Sequence, residues 1–331
     1  MINPHSHKYR LTMEMPSLSD RTLTPAKLQP SKRCRSVTGL CIAAVCLLLA
    51  ASSLPGRSQQ QAPEAVVQLP EVPPLTWVND AVRSEISIIN QYDEQPVRYR
   101  QRKVASKGDI TREVIVTSEG TVARLIERDG QPITAAEDAA ERSRLEDLLN
   151  NPDEFLRHHR HDGEGRTYAL ELVKLMPDAM LYSYAPGQPQ PKGTAGEQIV
   201  LDYKPNPAFH PPSMLSEVLT GLEGRVWIDA KAKCVTRMEA RVLRPVNIGF
   251  GIVAKIFPGG TVEFEQTSMG SDRWVYHRVE EHVTVRELML KTVPQDSVIT
   301  AYDFRSMPSM PSFQQAIQTL LAMKVPLRPG N

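Results

Sequence analysis

Val275-Tyr276-His277-Arg278-Val279-Glu280-Glu281-His282-Val283-Thr284-Val285-Arg286 is the stretch on which the fold class turns. Its odd positions hold four valines with His277 and Glu281 between them, and its even positions are polar except for Tyr276. A period of two sustained this long predicts a strand with odd residues toward a core and even residues toward water. Just upstream Val262, Phe264 and Gln266 alternate against Glu263, Glu265 and Thr267, and Met269-Gly270-Ser271-Asp272 supplies a turn between the two runs. Two alternating runs joined by a short glycine turn make an antiparallel hairpin. Residues 297–304 read as a last strand.

Working toward the N-terminus, residues 97–106, 110–118 and 121–128 form three more strand-like runs, joined by Lys107-Gly108-Asp109 and Glu119-Gly120. Residues 167–175, 181–184, 198–203, 224–229 and 235–243 are read as further strands, with proline-rich connections among them. Helical spacing appears at 79–92, where Val82, Ile86 and Ile89 share a face behind Asn79 or Asp80 as N-cap. It appears again at 134–150, a charged segment opened by Thr134 and Glu137 at capping-box spacing. A second short helix is expected at 153–161 and another at 214–221. Many sequential strands with few helices predict an α+β fold: one curved antiparallel sheet of roughly eight to eleven strands, with two or three helices on its concave face.

The first 57 residues differ from the rest. They hold eight of the 39 Lys and Arg but only two of the 38 Asp and Glu, so the remainder is net acidic by about five charges. Such a surface argues against nucleic acid as a partner. Residues 37–54 read VTGLCIAAVCLLLAASSL behind Lys32, Arg33 and Arg35, the profile of a signal peptide. The uninterrupted apolar centre, 40–51, is 12 residues, short of the roughly 20 that a helix needs to span a bilayer. An uncleaved signal anchor is the alternative, and both place the chain beyond residue 57 outside the cytosol, in the periplasm. Cys34, Cys41 and Cys46 belong to the leader, leaving Cys234 alone beyond it. The organisation expected is a leader at 1–53, a Pro/Gln/Ser-rich linker at 54–76, a folded domain at 77–306 and a C-terminal extension at 307–331.

Several stretches in order carry a resemblance: Leu125-Ile126-Glu127-Arg128-Asp129-Gly130-Gln131-Pro132, Gly224-Arg225-Val226-Trp227-Ile228-Asp229, Phe264-Glu265-Gln266 and Tyr302-Asp303-Phe304-Arg305, with Pro211-Pro212-Ser213 ahead of the Trp227 strand. In order and texture the chain resembles the outer-membrane lipoprotein carrier family, the LolA/LolB-like superfamily, over residues 80–306. The resemblance implies an incomplete antiparallel β-barrel wrapped around helices, with an apolar cavity that holds lipid or lipoprotein acyl chains. A groove of that kind needs no specific polar contact, since each buried CH₂ contributes about 0.8 kcal/mol. Strand parity nominates Trp227, Met238, Val242, Phe264, Val279 and Val283 as its lining.

No G-x-S-x-G, H-E-x-x-H, P-loop or paired C-x-x-C motif occurs in the chain, so no local motif asks for a cofactor or an enzymatic reading. Gly249-x-Gly251-x-x-Ala254 lacks the strand, turn and helix of a dinucleotide site, since Pro258 follows at once. His158, His159 and His161 with Asp162 are the one cluster with metal-ligand chemistry, and only His158 and His161 share a helical face. The expectation is therefore a non-enzymatic envelope protein binding an amphiphile, as carrier or chaperone, with an envelope protein as a further partner. The alternatives are an envelope-stress sensor on the same scaffold and a metal-dependent enzyme using the His158 cluster. In the tail, Phe313, Ile317, Leu320 and Leu321 form one stripe on a short helix, expected to cover the mouth of the half-barrel.

Overall fold

A computed structural model describes residues 71–91, 94–191, 196–248, 254–270, 273–287 and 291–329, with no side-chain placement for 154–164 and 287. The leader, the linker up to residue 70 and most of the Gly249 stretch lie outside the described residues. The chain is α+β. It runs α1 (Pro74–Gln91), β1 (Val97–Ala105), β2 (Gly108–Thr117), β3 (Gly120–Arg128), β4 (Gln131–Pro132), α2 (Ala135–Asn150), α3 (Pro152–Ala179), β5 (Met180–Tyr184) and β6 (Gln198–Pro205). A 3-10 turn at Leu215–Gly221 then leads to β7 (Leu222–Asp229), β8 (Val235–Val242), β9 (Val246–Ile248), β10 (Ala254–Ile256), β11 (Thr261–Ser268), β12 (Trp274–Glu287), β13 (Lys291–Ser306) and α4 (Phe313–Ala322).

All described strands belong to one antiparallel sheet in the order β4-β3-β2-β1-β13-β12-β11-β8-β7-β6-β5, with β10 and β9 added along β12. It has 13 strands, two beyond the expected range, because β9 and β10 are too short to carry a period of their own. The sheet does not close on itself, since β4 and β5 stand at opposite ends of the order. At Gly224 of β7 a Cβ would stand 1.8 Å from the Glu239 carbonyl oxygen. The Tyr203 hydroxyl would stand 2.7 Å from that Cβ and donates to the same oxygen at 2.8 Å, so glycine is needed for the close approach.

Two expectations are corrected in the middle of the chain. The helix expected at 153–161 and the strand expected at 167–175 are one 28-residue helix, α3. Leu172, Leu175 and Met176 pack on the core at i, i+3 and i+4, and the alternation of Tyr168, Leu170 and Leu172 only mimicked a strand. Between Thr167 and Met176 the good helix formers Ala, Leu, Glu, Lys and Met predominate and no Gly or Pro interrupts. Asn206 closes the helix by donating from its backbone N–H to the Ala179 carbonyl at 2.8 Å and from its amide to the Asp178 carbonyl at 2.9 Å.

Nor do the helices share one face. On β2, Ile115 packs with α2 and α4, through Leu145, Phe313, Ala316, Ile317 and Leu320. Its neighbours Val114 and Val116 point the other way, to Tyr99, Val97 and Ala301, and Val116 lines the same small gap as Ile88 of α1. Successive strand residues face opposite sides, so α1 and α3 occupy one face and α2 and α4 the other. The tail is thus an integral element and lies away from the face where a mouth was expected. Its helix opens with a capping box, Ser312 accepting from the Gln315 N–H and the Gln315 side chain accepting from the Ser312 N–H.

The capping box expected at Thr134 and Glu137 is also present. It starts α2 along the outer edge of β3, where Glu141 accepts from the Leu125 N–H at 2.8 Å and Arg144 donates to the Ala123 carbonyl at 2.6 Å. These side chains satisfy backbone groups that an uncovered edge would offer to another chain.

Candidate functional site

The face beneath α1 and α3 is the apolar one. Met180, Ile199, Leu201, Tyr203, Val226 and Ile228 are buried there against Val78 and Ala81 of α1. Five of the six residues nominated from the sequence point to this side. Met238 stands opposite Phe264, and Phe264 opposite Val279, across paired strands. Val242 and Val283 join a neighbouring cluster with Val246, Ile248, Ala254, Ile256 and Val285.

Trp227 does not join them. It packs with Val200 and Ala185 on the opposite face, where its indole N–H donates to the Pro189 carbonyl at 2.9 Å and the Arg237 guanidinium lies 5.4 Å from its ring centroid. The reason is parity: Val226 and Ile228 face α1, so the residue between them cannot. A second parity change occurs in β12. A bulge between Glu265 and Gln266 leaves His277 unpaired and brings Tyr276, rather than His277, to the α1 side, while Val279, Glu281, Val283 and Val285 keep the expected buried alternation. Bulges insert one residue and so invert everything on one side of them.

That inversion builds a polar centre inside the apolar contact. Glu85 of α1 is 5% exposed, between Ala81 and Ile89 on the buried stripe. Its Oε1 accepts from the Val235 backbone N–H at 3.0 Å, its Oε2 from the Tyr276 hydroxyl at 2.9 Å, and both oxygens from the Gln266 amide at 2.9 and 2.8 Å. Among the described residues no Lys, Arg or His bonds to this carboxyl. Burial pushes it up to about 7, against three hydrogen bonds that favour its charged form. Burial first, and then the Glu85 charge, also raise the thiol of neighbouring Cys234. Neither Glu85 nor its partners were nominated from the sequence. A signal was present, since Glu85 falls four residues after Ala81 and four before Ile89, a charged residue in an apolar stripe. Val82 and Ile86 of the expected stripe are only half-buried.

Where Ile88 crosses Val97, Tyr99, Val116, Tyr276 and Phe304 the gap is about 20 Å³, room for a single water and no acyl chain. A concavity of about 890 Å³ lies instead over β5–β8, β11 and β12, and most of its lining side chains, Asp202, Lys204, Arg225, Glu239, Glu263 and His282 among them, belong to the polar face. Several of its charges are paired, Asp202 with Arg225 at 2.6 Å within the lining and others with residues beside it. Arg237 reaches Glu239, Glu263 and Glu265 at 2.9, 2.8 and 2.7 Å. His282 holds Glu280 at Nε2 (2.8 Å) and Asp296 at Nδ1 (3.1 Å), which raises its pKa and leaves neither ring nitrogen free as a base. The side chains of His158, His159, His161 and Asp162 lie outside the described residues. Among the residues that are described, no group of three or more His, Cys, Asp or Glu is placed to hold a metal.

No protein-family model, curated protein or solved structure matches the chain.

Proposed function

We propose that this is a non-enzymatic protein of the cell envelope, exported to the periplasm, that binds a lipid, lipoprotein or other amphiphile and serves as its carrier or chaperone. The scaffold would be of the LolA/LolB-like kind, a strongly curved sheet forming an incomplete barrel around α1 and α3. The observation that carries this reading is the apolar face itself: Met238, Phe264 and Val279 continue the surface of Met180, Leu201 and Val226 across successive strands, and α1 lies along it. Acyl chains would take the place of α1, and the apolar area they cover would drive binding without a directional contact. Val242 and Val283 would extend the lining toward β9 and β10.

Mass spectrometry of protein purified from membranes under native conditions tests the reading. Co-purifying lipid is the expected result. Stoichiometric metal with no lipid would favour the enzymatic alternative, and protein that carries neither and takes up no fluorescent fatty acid would sink the proposal.

A further inference from the structure

Glu85 sits at the middle of the α1 contact with three donors around it and, among the described residues, no cation. The groups facing it are neutral or acidic on every side. β12 presents the Tyr276 hydroxyl, β11 the Gln266 amide, and the β7–β8 turn presents the Cys234 thiol, with Asp229 beyond it. α3 and β5 pack on the same cluster through Leu172, Leu175, Met176, Tyr182 and Tyr184. Lys233 lies over the Trp77 ring at 3.5 Å and makes no bond to the carboxyl. A second observation bears on the proton. Gln266 Oε1 is buried and has no hydrogen-bond partner, an arrangement that costs free energy unless a donor reaches it. Half a turn of the amide, whose orientation is set by its bonding, would point that oxygen at the carboxyl. A neutral Glu85 would then donate its O–H to Gln266 Oε1 while still accepting from the Val235 N–H and the Tyr276 hydroxyl, and the orphan acceptor would gain a donor.

We propose that Glu85 is a proton-operated latch: as the neutral acid it holds α1 on the sheet, and loss of its proton to solvent unseats α1 and uncovers the apolar face. The consequence for ligand binding rests on the reading of that face given above; the latch does not. Burial supports the proposal by raising the seated carboxyl from about 4.5 to about 7. By linkage, opening of α1 is constant below pH 4.5, rises between 4.5 and 7 as only the unseated form ionises, and levels off above 7.

Hydrogen exchange of the full chain from pH 5 to pH 8, corrected for intrinsic amide rates, reads this directly. Opening of residues 74–91 is expected to rise roughly 50- to 100-fold over that range, while residues 313–322 of α4 stay unchanged. In Glu85→Gln, which can still donate to Gln266 Oε1, the response of α1 should vanish. An unresponsive α1 in the native protein, or an equal response in Glu85→Gln, would overturn the latch. Should Glu85→Gln fail to fold, Tyr276→Phe decides: it removes a donor that favours the carboxylate, so the midpoint of opening must move to higher pH, and an unmoved midpoint overturns the proposal. Uptake of a fluorescent fatty acid over the same pH range separates the two readings. Opening without uptake at any pH removes the amphiphile reading and leaves the latch, whereas equal uptake at pH 5 and pH 8 despite opening shows that the latch does not gate the face.

Discussion

The α1 and α4 docks are alike in plan and opposite in electrostatics. Each lays a short amphipathic helix on one face of the sheet, and each has an ionisable side chain buried at the contact. Under α4 that side chain is Arg124 of β3, 1% exposed. Its guanidinium donates to the carbonyls of Leu320 and Met323, the latter at 2.9 Å, and to Asp138 of α2 at 2.6 Å. Arg142 of α2 adds a bond to the Leu321 carbonyl at 2.8 Å. Two cations therefore meet the C-terminal end of a helix, where the carbonyls carry partial negative charge, and a carboxylate balances one of them. Under α1, by contrast, a lone carboxyl meets dipoles only. The difference teaches that burial alone does not make a helix permanent: a compensated charge ties α4 in place, and an uncompensated one makes the hold on α1 depend on a proton.

The largest effect should come from breaking the compensated side. Arg124→Met leaves Asp138 and two helix carbonyls without their donor, and the expected loss is about 3–5 kcal/mol in urea unfolding, with α4 the first element to lose exchange protection. If the variant unfolds like the native protein, Arg124 is not what holds the tail.

Removing the uncompensated charge should act in the opposite direction. Because the folded pKa of Glu85 lies above the unfolded value of about 4.5, the stability it confers is complete below pH 4.5 and is lost as pH rises through about 7. The native protein should thus be about 3 kcal/mol less stable at pH 8 than that group would allow at pH 4.5. In Glu85→Gln the loss should be absent, so urea midpoints of the two proteins should separate with rising pH in favour of the variant. Midpoints that stay parallel from pH 5 to pH 8 would show that the carboxyl is ionised throughout.

The smallest change sharpens the same contrast at a helix end. Ser312→Ala removes the acceptor of the Gln315 N–H and should cost about 1 kcal/mol. The cost should be the same at pH 5 and pH 8, since no titrating group takes part. A pH-dependent cost would tie the two docks together and undo the comparison.

Much of the frame was legible without coordinates. The alternation through Val279, Val283 and Val285, the strands around Lys107-Gly108-Asp109 and Glu119-Gly120, the Thr134 capping box and the stripe Phe313, Ile317 and Leu320 all arise from neighbours in the chain. Side-chain period, turn residues and caps are local physics, so a reader of the sequence can find them. α3 escaped because two overlapping periods fit its residues and only the packing of Leu172, Leu175 and Met176 selects one.

What the sequence by itself determined, then, is the α+β class, an antiparallel sheet and the existence of the tail helix. Tertiary structure alone decided which face each helix covers and which side chains meet beneath it. Trp227 left the expected lining because face assignment propagates through pairing register, and one bulge at His277 turned Tyr276 inward. Glu85, Gln266 and Tyr276 stand up to 191 positions apart and come together only when three separate elements pack. Desolvation of a carboxyl depends on what packs around it in space, which is why the most perturbed carboxyl in the described structure could be found only there.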